Sequence, residues 1–281
     1  MKTKKVFFSI IFAVAILLFA CSDDKNNSGP GTLSITMTDA PFPFEMIDEA
    51  NVTISKIEVR NADSIADGES PFLVLKEEDM HFNLVNLVNG ATEALVMIEV
   101  PSGNYDLVRL YIKDAVVKLS DGRELDLKVP SGAQTGIKVF VKPSIRVAGG
   151  LSSDLLLDFD LGRSFIPTGN VHSVNGITGF NFKPVIKAVN LSTTGTLIGI
   201  VGDTLSNPVK GAEIALYAAD TLNTTTYTDS LGNYTVLGLL AGNYKITVTN
   251  DRYISQDDMV EIVEGNYTTK DFVLEPEPVG Q

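Results

Sequence analysis

The chain has 281 residues, a formal net charge of −13 and a single cysteine. One cysteine excludes an intrachain disulfide and a thiolate metal site, so the folded parts must be stabilised by apolar cores. The excess of acidic side chains repels phosphate backbones and anionic lipid headgroups, which argues against nucleic-acid binding and against electrostatic attachment to a membrane. A hydrophobic content of 44% with 23 glycines and no tryptophan is typical of a folded, turn-rich protein.

The N-terminus has the pattern of a secretion signal. Three lysines are followed by an apolar run over residues 6–20, which is shorter than the roughly 20 apolar residues that a membrane-spanning helix needs. The run ends in Leu18-Phe19-Ala20-Cys21, which resembles a bacterial lipobox. This resemblance implies that residues 1–20 are removed as a signal peptide and that Cys21 is lipidated. The mature chain then has a net charge of −16, because the removed segment holds three lysines and no acidic residue.

Residues 21–30 are predicted to be a lipidated polar tether, because nothing after Cys21 in this segment can be buried. As a flexible chain the tether spans roughly 15 to 18 Å, enough to hold a domain just off a membrane surface. Its acidic start, Ser22-Asp23-Asp24, resembles the signal that exports some Gram-negative lipoproteins to the outer face of the outer membrane. The alternative is an ordinary solvated linker. We expect an outer-membrane protein that contacts the membrane through its lipid and is exposed at the cell surface.

Alternation of apolar and polar residues predicts strands along the rest of the chain, and no long helical period is found. A phase slip at Ser55-Lys56 predicts a β-bulge. Residues 117–127 are predicted to form a hairpin in which Asp121-Gly122 makes a two-residue turn with positive φ angles. The other predicted strands of the first region are residues 32–37, 52–59, 96–100, 105–112, 137–141, 154–161 and 180–186.

Five short motifs occur in order between residues 31 and 190. They are Thr38-Asp39-Ala40-Pro41; Gly103-Asn104-Tyr105 with Arg109-Leu110; residues 130–138; Asp158-Phe159-Asp160 with Ser164; and Lys183-Pro184-Val185-Ile186. Together they resemble a bacterial lipoprotein domain that is known only as domain of unknown function 4382. The resemblance implies a domain over residues 31–190 and carries no activity, because the family has none assigned.

Turn motifs also recur after residue 195. They are Gly202-Asp203, residues 207–212, residues 228–234 and residues 240–244. These resemble the carboxypeptidase regulatory-like domain, a transthyretin-like seven-stranded β-sandwich, although Ser206-Asn207 replace the usual glycine before Pro208. The resemblance implies binding or support without catalysis, in a fold related to starch-binding domains. The predicted fold class is therefore all-β, with two tandem β-sandwich domains at 31–190 and 196–276, a linker at 191–195 and a tail at 277–281.

One motif is shared by the two predicted domains. Gly103-Asn104-Tyr105 and Gly242-Asn243-Tyr244 each open a predicted strand with a glycine corner and an aromatic residue. A duplicated domain would produce such an echo, but β-sandwiches in general reuse corners of this kind. The shared motif therefore supports an all-β fold for both domains.

No set of residues predicts catalysis. An acyl-transfer triad needs a base beside a nucleophile, and only His81 and His172 could supply that base. Neither histidine lies in a nucleophile-elbow sequence. The chain also lacks a glycine-rich phosphate loop, a dinucleotide fingerprint and zinc-ligand spacing, so no cofactor is expected.

A weaker pattern suggests a metal site. Asp154, Asp158 and Asp160 are predicted on one face of a strand, where carboxylates could help to hold Ca²⁺. The alternative is a solvated outer face, since side chains at i and i+2 of a strand are about 6 to 7 Å apart.

Four short triplets resemble the O-glycosylation acceptor of some bacteria. Each triplet has an aspartate, a hydroxyl residue and an aliphatic residue, and all lie in predicted loops or strand edges. The hydroxyl residues are Ser64, Thr204, Thr221 and Ser230.

These observations predict a non-catalytic binding, adhesion or scaffold lipoprotein that meets an envelope protein. The first alternative is a carbohydrate-binding accessory protein that captures glycans, although the absence of tryptophan and the dispersed eight tyrosines weaken it. The second is a hydrolase, for which the sequence shows no nucleophile. Loops at the ends of a sandwich are rigidly positioned, so we expect any partner to bind there.

Overall fold

The structure is a computed structural model, and it describes residues 29–39, 46–65, 71–130 and 135–278. The predicted signal peptide, Cys21, most of the tether and parts of two motifs lie outside the described residues. Within the described ranges, strands predominate and the one α-helix has four residues. None of their helices is long and apolar enough to cross a membrane. The prediction of an all-β fold is confirmed.

The first domain contains strands β1 to β12 and the short helix α1. Turns of 3-10 helix lie at Asp63–Ile65, Leu84–Asn86 and Val174–Gly176. Helix α1 is Leu161–Ser164. The strands are β1 (Gly31–Asp39), β2 (Ile47–Asn61), β3 (Phe72–Lys76), β4 (Met80–Asn83), β5 (Glu93–Val100), β6 (Gly103–Leu119), β7 (Glu124–Asp126), β8 (Ile137–Val147), β9 (Ser152–Phe159), β10 (Phe165–Gly169), β11 (Ile177–Phe182) and β12 (Ile186–Asn190).

Ten of these strands form one mixed sheet around a single core. Its strand order is β3-β2-β6-β8-β12-β9-β1-β5, with β4 also paired to β2 and β7 to β6, while β10 and β11 form a separate hairpin. The pairs β1–β9 and β8–β12 are parallel. The sheet folds over on itself, so that β3 and β5, its two ends, come into contact. The inner faces enclose one apolar cluster that includes Leu33, Ile54, Leu110 and Phe159.

A bulge in β2 keeps both halves of that strand facing the core. The pairing of β2 with β6 shifts between Ile54 and Lys56, which leaves Ser55 without a partner in the ladder. Because one extra residue reverses the alternation, Ile54 before the bulge and Ile57 after it are both fully buried. The bulge predicted at Ser55-Lys56 is confirmed.

The second domain is a sandwich of two sheets. One sheet has the order β16-β13-β19, with β20 also paired to β13, and the other has the order β15-β14-β17-β18. A second apolar cluster lies between them and includes Leu197, Ile214, Tyr234 and Ile246. The strands are β13 (Thr194–Asp203), β14 (Glu213–Ala218), β15 (Thr221–Tyr227), β16 (Asn233–Leu240), β17 (Gly242–Asn250), β18 (Tyr253–Ile262), β19 (Tyr267–Thr269) and β20 (Phe272–Leu274).

The hairpin between β6 and β7 differs from its predicted form. Leu119 N donates to Arg123 O, so the loop contains Ser120, Asp121 and Gly122. Gly122 has a φ of +86°, and Asp121 keeps a negative φ. The prediction of a two-residue turn is wrong. The Asp121 carboxylate accepts the Arg123 backbone N–H, and this bond stabilises a three-residue loop with glycine in the left-handed position.

The strand predicted over residues 180–186 is two strands. Strand β11 ends at Phe182 and β12 begins at Ile186, with residues 183–185 crossing between the hairpin and the main sheet. Lys183 N donates to Ser164 O, and Asp160 N donates to Val185 O. These bonds to α1 and its cap replace ladder bonds, so the single-strand prediction is wrong. The alternation of apolar and polar side chains continues across residues 183–185, so it does not predict the break between the two strands.

The repeated Gly-Asn-Tyr motif forms the same corner in both domains. The hydroxyl of Tyr105, at the start of β6, donates to Pro101 O at 2.8 Å. The hydroxyl of Tyr244, at the start of β17, donates to Leu240 O at 3.0 Å. Both rings are buried, and burial raises the pKa of each hydroxyl. Each tyrosine therefore ties the start of its strand to the chain four residues earlier.

The second domain packs against the outer face of the first through β15 and β16, the edge strands of its two sheets. Leu191–Thr193, predicted as linker, form a 3-10 turn, and β13 begins at the next residue. Lys187 Nζ donates to Asn223 O on β15 at 3.3 Å. Thr226 Oγ1, also on β15, donates to Asn89 Oδ1 at 3.3 Å. Since edge strands expose unpaired backbone groups, this contact covers an edge that would otherwise be open to solvent.

Two glycines allow the domains to approach this closely. Gly90 has a φ of +79°, and a Cβ atom there would lie 2.6 Å from Thr235 Cγ2 on β16. Gly238 on β16 has a φ of +71°, and its Cβ would lie 3.0 Å from Val189 Cγ1 on β12. A side chain at Gly90 would force Thr235 or the domains to shift, and a side chain at Gly238 would press against Val189.

Tyr105→Phe and Tyr244→Phe are each expected to lower the free energy of unfolding of their own domain by about 1 kcal/mol, because each removes one buried hydrogen bond. Thermal and urea unfolding of the purified chain measures the loss. Tyr267→Phe is the matched control, since Tyr267 is 75% exposed and should be neutral. An equal loss in the control would contradict the role of the corner.

The same pair of variants has a defined pH dependence. Because the folded-state pKa of both hydroxyls is raised, their contribution is complete below the ordinary tyrosine pKa of about 10 and is lost as the pH rises above it. The difference in stability between the wild type and each Phe variant should therefore shrink above pH ~10.

Gly90→Ala is expected to weaken the contact between the domains by about 1 to 3 kcal/mol while both cores stay folded. Small-angle scattering should show a larger radius of gyration, and proteolysis at the 191–193 turn should be faster. Gly150→Ala is the control, because Gly150 has a φ of +71° and nothing within 4 Å of its Cβ position. If both variants behave alike, backbone strain explains the effect and the contact does not.

Candidate functional site

A cleft of about 510 Å³ lies where the two domains meet. Its floor is the outer face of β8, β12, β9 and β1, and its wall is formed by β15 and β16. Clefts of this size at domain interfaces are common ligand sites. The cleft is therefore the strongest candidate binding site within the described residues.

Strand alternation decides which side chains of β8 reach the floor. Val139 and Val141 point into the core of the first domain and are buried. Lys138, Phe140 and Lys142 lie on the opposite face and line the cleft. The outer face of β8 therefore presents two lysine ammonium groups to the cleft, with the Phe140 ring between them.

The neighbouring strands add a further lysine and a carboxylate. Lys187 on β12 is opposite Asp158 on β9, and both lie on the outer face. The outer face of β9 also carries Leu156, which is only 1% exposed although it is outside the apolar core cluster. The 191–193 turn lies beside β9. This turn between the domains borders the floor, and its Thr193 lines the cleft.

The three floor lysines differ in ion pairing from most of the other described lysines. No ion pair joins Lys138, Lys142 or Lys187 to a carboxylate in the described part of the chain. Lysines elsewhere are often paired. Examples are Lys56 with Glu58 at 2.7 Å, Lys118 with Glu49 at 3.0 Å and Lys245 with Asp257 at 2.7 Å.

The cleft combines polar groups with two exposed apolar side chains. Phe140 on the floor is 54% exposed and Leu240 on the wall is 52% exposed. Lys142 Nζ lies 5.7 Å from the centre of the Phe140 ring. The polar groups come mainly from the wall and the interdomain turn. They include Asn190, Thr193, Asn223, Thr224 and Thr225.

Several residues of the five motifs shape the corner beside this cleft. Thr38 Oγ1 lies 2.9 Å from Ala91 O and 3.1 Å from Leu87 O. Asp39 Oδ1 accepts Leu161 N at 2.8 Å, and Ser164 Oγ accepts Val185 N at 2.9 Å. These bonds tie β1, α1 and the start of β12 together, so the motifs position the floor of the cleft.

The three aspartates predicted as calcium ligands do not converge. Asp154 is exposed on β9 and Asp158 is four residues farther along, about 13 Å at the strand rise. Asp160 lies beyond the end of β9, where its carboxylate caps α1 by accepting Arg163 N at 2.9 Å. The predicted placement of Asp160 on the strand is wrong. No group of three or more histidines, cysteines or carboxylates in the described ranges is placed to hold a metal ion.

The two histidines are far from forming a catalytic set. His81 is exposed on β4, and its Nδ1 lies 3.0 Å from Thr53 Oγ1. His172 is exposed in the loop between β10 and β11, where its backbone N–H donates to Asn170 Oδ1. Neither lines the cleft.

The candidate O-glycosylation residues occupy turns and strand edges. Thr204, Thr221 and Ser230 are exposed, and Ser64 is half-buried in a 3-10 turn. Thr204 and Ser230 lie in equivalent turns of the second domain. In these turns the Asp203 carboxylate accepts Leu205 N and Asn207 N, and the Asp229 carboxylate accepts Leu231 N and Asn233 N.

A polar cluster on the outer face of the first domain has no counterpart in the sequence predictions. Glu58 accepts Tyr111 Oη at 2.9 Å and pairs with Lys56 at 2.7 Å. The guanidinium of Arg109 lies 3.5 Å from the same carboxylate and 3.6 Å above the Phe72 ring. Burial raises the pKa of Glu58, but the hydrogen bonds from Lys56 and Tyr111 outweigh burial, and the net pKa is lowered. The cluster pairs the Glu58 carboxylate fully, whereas Arg109 Nε is buried without a hydrogen-bond partner among the described residues.

Sequence reasoning also missed the cleft residues. The pattern Lys138-Val139-Phe140-Val141-Lys142 was present as a strand with a mixed outer face. An aromatic residue between two lysines on the polar face of a strand is the sequence signal that could have identified this part of the cleft. Lys187 had no such signal, because only the pairing of β12 with β8 and β9 brings it beside the others.

Comparison with known families matches both domains. Residues 30–184 match the model of a domain of unknown function, DUF4382, and residues 196–275 match the carboxypeptidase regulatory-like domain. The predicted resemblances and their order are confirmed. No curated protein is similar enough to the chain to count as a relative.

Similar solved structures have low TM-scores. Catechol 1,2 dioxygenase of Acinetobacter radioresistens has 14% identity and a TM-score of 0.25, and the match covers 31% of this chain and 53% of the enzyme. The chain thus spans about half the length of that dioxygenase. The 5-hydroxyisourate hydrolase of Klebsiella pneumoniae has 16% identity and a TM-score of 0.26, covering 30% of this chain and 92% of the hydrolase. The shaft pilin SpaA of Lactobacillus rhamnosus GG has 10% identity and a TM-score of 0.27, covering 90% of this chain and 100% of the pilin.

Likenesses at such TM-scores transfer no function. The family models are a stronger finding, because each covers most of one observed domain, in the observed order. The first model alone spans more than half of the 281 residues. The chain therefore belongs to the DUF4382 family of domains of unknown function, with a carboxypeptidase regulatory-like domain after it.

Proposed function

We propose that this chain is an outer-membrane lipoprotein, exposed at the cell surface, that acts as a non-catalytic binding module and holds its partner in the cleft between its domains. The observation that carries the proposal is the cleft itself. Both domains build it, and it presents three lysines that form no ion pair with a described residue, an exposed ring and several hydroxyl and amide groups.

The chemistry of the lining suits binding. Its described residues include no histidine and no cysteine, and its charged groups are three lysines and the carboxylates of Asp39 and Asp158. The carboxylate of Asp39 is only 4% exposed and accepts a backbone N–H of α1. Asp158 is half-buried and lies opposite Lys187, and the uncharged groups of the lining are suited to hydrogen bonds and to packing.

The N-terminal sequence supports the proposed location. A lipobox-like Leu18-Phe19-Ala20-Cys21 followed by a polar tether leaves the folded domains outside the membrane. The strongly acidic mature chain gains nothing from anionic headgroups, so attachment depends on the lipid. The acidic residues directly after Cys21 support export to the outer face of the outer membrane.

Two alternative classes of partner are considered for the cleft, an envelope protein and a glycan. An envelope protein would fit an adhesin or scaffold role. A glycan would fit the accessory role, and the half-exposed ring of Phe140 favours it, because aromatic faces commonly pack against sugar rings. The Phe140 ring could serve as the aromatic stacking surface for a sugar, a surface that the dispersed tyrosines do not provide.

Cys21→Ser is expected to move the protein from the membrane fraction to the soluble fraction, because it removes the only lipidation site. The intact mass of the wild type should exceed that of the polypeptide from Cys21 onward by the mass of the acyl groups. Protease added to intact cells should digest the wild-type domains. Protection until the outer membrane is opened would contradict surface exposure.

A photoreactive amino acid at Phe140 is expected to form a covalent adduct with the natural partner when intact cells are irradiated. The same amino acid at Met259, which is exposed on β18 and outside the cleft, is the control. Adducts should appear at Phe140 only and be visible by gel shift and mass spectrometry. Equal labelling at both positions, or none at Phe140, would exclude the cleft as the site.

A further inference from the structure

We infer that the cleft binds an acidic oligosaccharide, an inference that rests on the proposed binding function. Lys138, Lys142 and Lys187 contact its carboxylate groups, and Phe140 packs against a sugar ring. The polar wall of β15 bonds to its hydroxyl groups. This assignment names the class of ligand that the general binding role leaves open.

The distribution of lysines indicates an anionic ligand. Of the twelve lysines that the structure describes, six form an ion pair with a described carboxylate. Three of the other six line this one cleft. The mature chain has a net charge of −16, yet this concave site holds three lysines that form no ion pair with a described carboxylate. The three ammonium groups together favour an anionic ligand and speed its encounter.

The cleft lining holds two carboxylates besides the three lysines, and neither lies on β8 beside Lys138 and Lys142. Asp39 is nearly fully buried and accepts the Leu161 N–H. Asp158 lies on β9 opposite Lys187. Strand β12 separates β9 from β8, so Asp158 is about two strand spacings, ~10 Å, from the row of Lys138 and Lys142. Those two ammonium groups are the primary anion contacts.

The spacing along β8 suits a ligand that alternates rings and charges. Phe140 lies between Lys138 and Lys142, and alternate side chains on one strand face are about 6 to 7 Å apart. A sugar ring on the phenyl face would place substituents toward the lysine on either side. Its apolar C–H face would pack on the ring while its anionic groups reach the ammoniums.

The opposite wall supplies hydrogen-bonding groups that suit hydroxyls. Asn223, Thr224 and Thr225 lie in sequence on β15, and all three contribute atoms to the lining of the cleft. Their side chains alternate between the two faces of the strand, so the wall presents some of these side chains together with backbone N–H and C=O groups of an edge strand. All of these groups can bond to sugar hydroxyls. This wall matches a polyhydroxylated ligand better than one that carries only charge.

The binding test uses purified full-length chain in detergent and three probes of defined chemistry. These are an oligogalacturonate, its methyl ester, which keeps the sugars and removes the charge, and a poly-glutamate of similar length. Calorimetry should show that the oligogalacturonate binds at least tenfold more tightly than either of the others. Its affinity should fall as salt is raised, because salt screens the exposed lysines.

Variants locate the binding. Lys138→Gln and Lys142→Gln should each weaken oligogalacturonate binding roughly 3- to 10-fold, since each removes one charge-assisted contact. Phe140→Ala should weaken both sugar probes by about tenfold. Lys128→Gln is the matched control, because Lys128 is exposed, forms no ion pair with a described residue and lies outside the cleft. Thermal unfolding of both domains should be unchanged in all four.

Equal binding of the ester and the acid overturns the requirement for charge. Tighter binding of poly-glutamate overturns the sugar class. If no probe binds while the photoreactive residue at Phe140 still captures an envelope protein, the ligand class is wrong and the binding role stands. If Phe140 captures nothing as well, both fail.

Discussion

The close approach of the two domains is the contact on which the functional architecture depends. Edge strands β15 and β16 of the second domain lie against the outer face of the first, and Gly90 and Gly238 leave room for the approach. The contact protects edge strands that would otherwise be exposed. It also turns an ordinary sheet face into the floor of a cleft. A single Cβ atom at either glycine would meet the opposing domain, so two small residues control the geometry of the site.

Charge gives that geometry its chemical character. The chain is strongly acidic, and half of its described lysines are held in ion pairs across or along strands. In the Glu58 cluster, one carboxylate pairs with two cations and accepts a hydrogen bond from a phenol. The floor of the cleft differs because β8 places two lysines around a phenyl ring with no carboxylate on its own strand face.

Local patterns in the sequence were sufficient for much of the fold. Alternation predicted most strands, and the phase slip predicted the bulge at Ser55, because a bulge must reverse the face of every residue after it. The shared Gly-Asn-Tyr motif predicted a corner that both domains use. The patterns failed where a polar residue could serve two purposes: Asp160 continues the alternation of β9, yet it caps α1 because its carboxylate accepts Arg163 N. Lys183 to Val185 continue the alternation but bond to the α1 segment.

By itself the sequence determined the all-β class, the two domain families, the single cysteine and the acidic charge, since each depends only on residue type or on spacing within one strand. Tertiary structure alone decided that the domains dock through edge strands, that Leu156 is buried on an outer face, and that Lys187 joins Lys138 and Lys142. The physical reason is that these features depend on pairing between strands distant in sequence. Alternation shows which face a side chain takes, whereas only the register of β8, β12 and β9 shows which side chains share a surface.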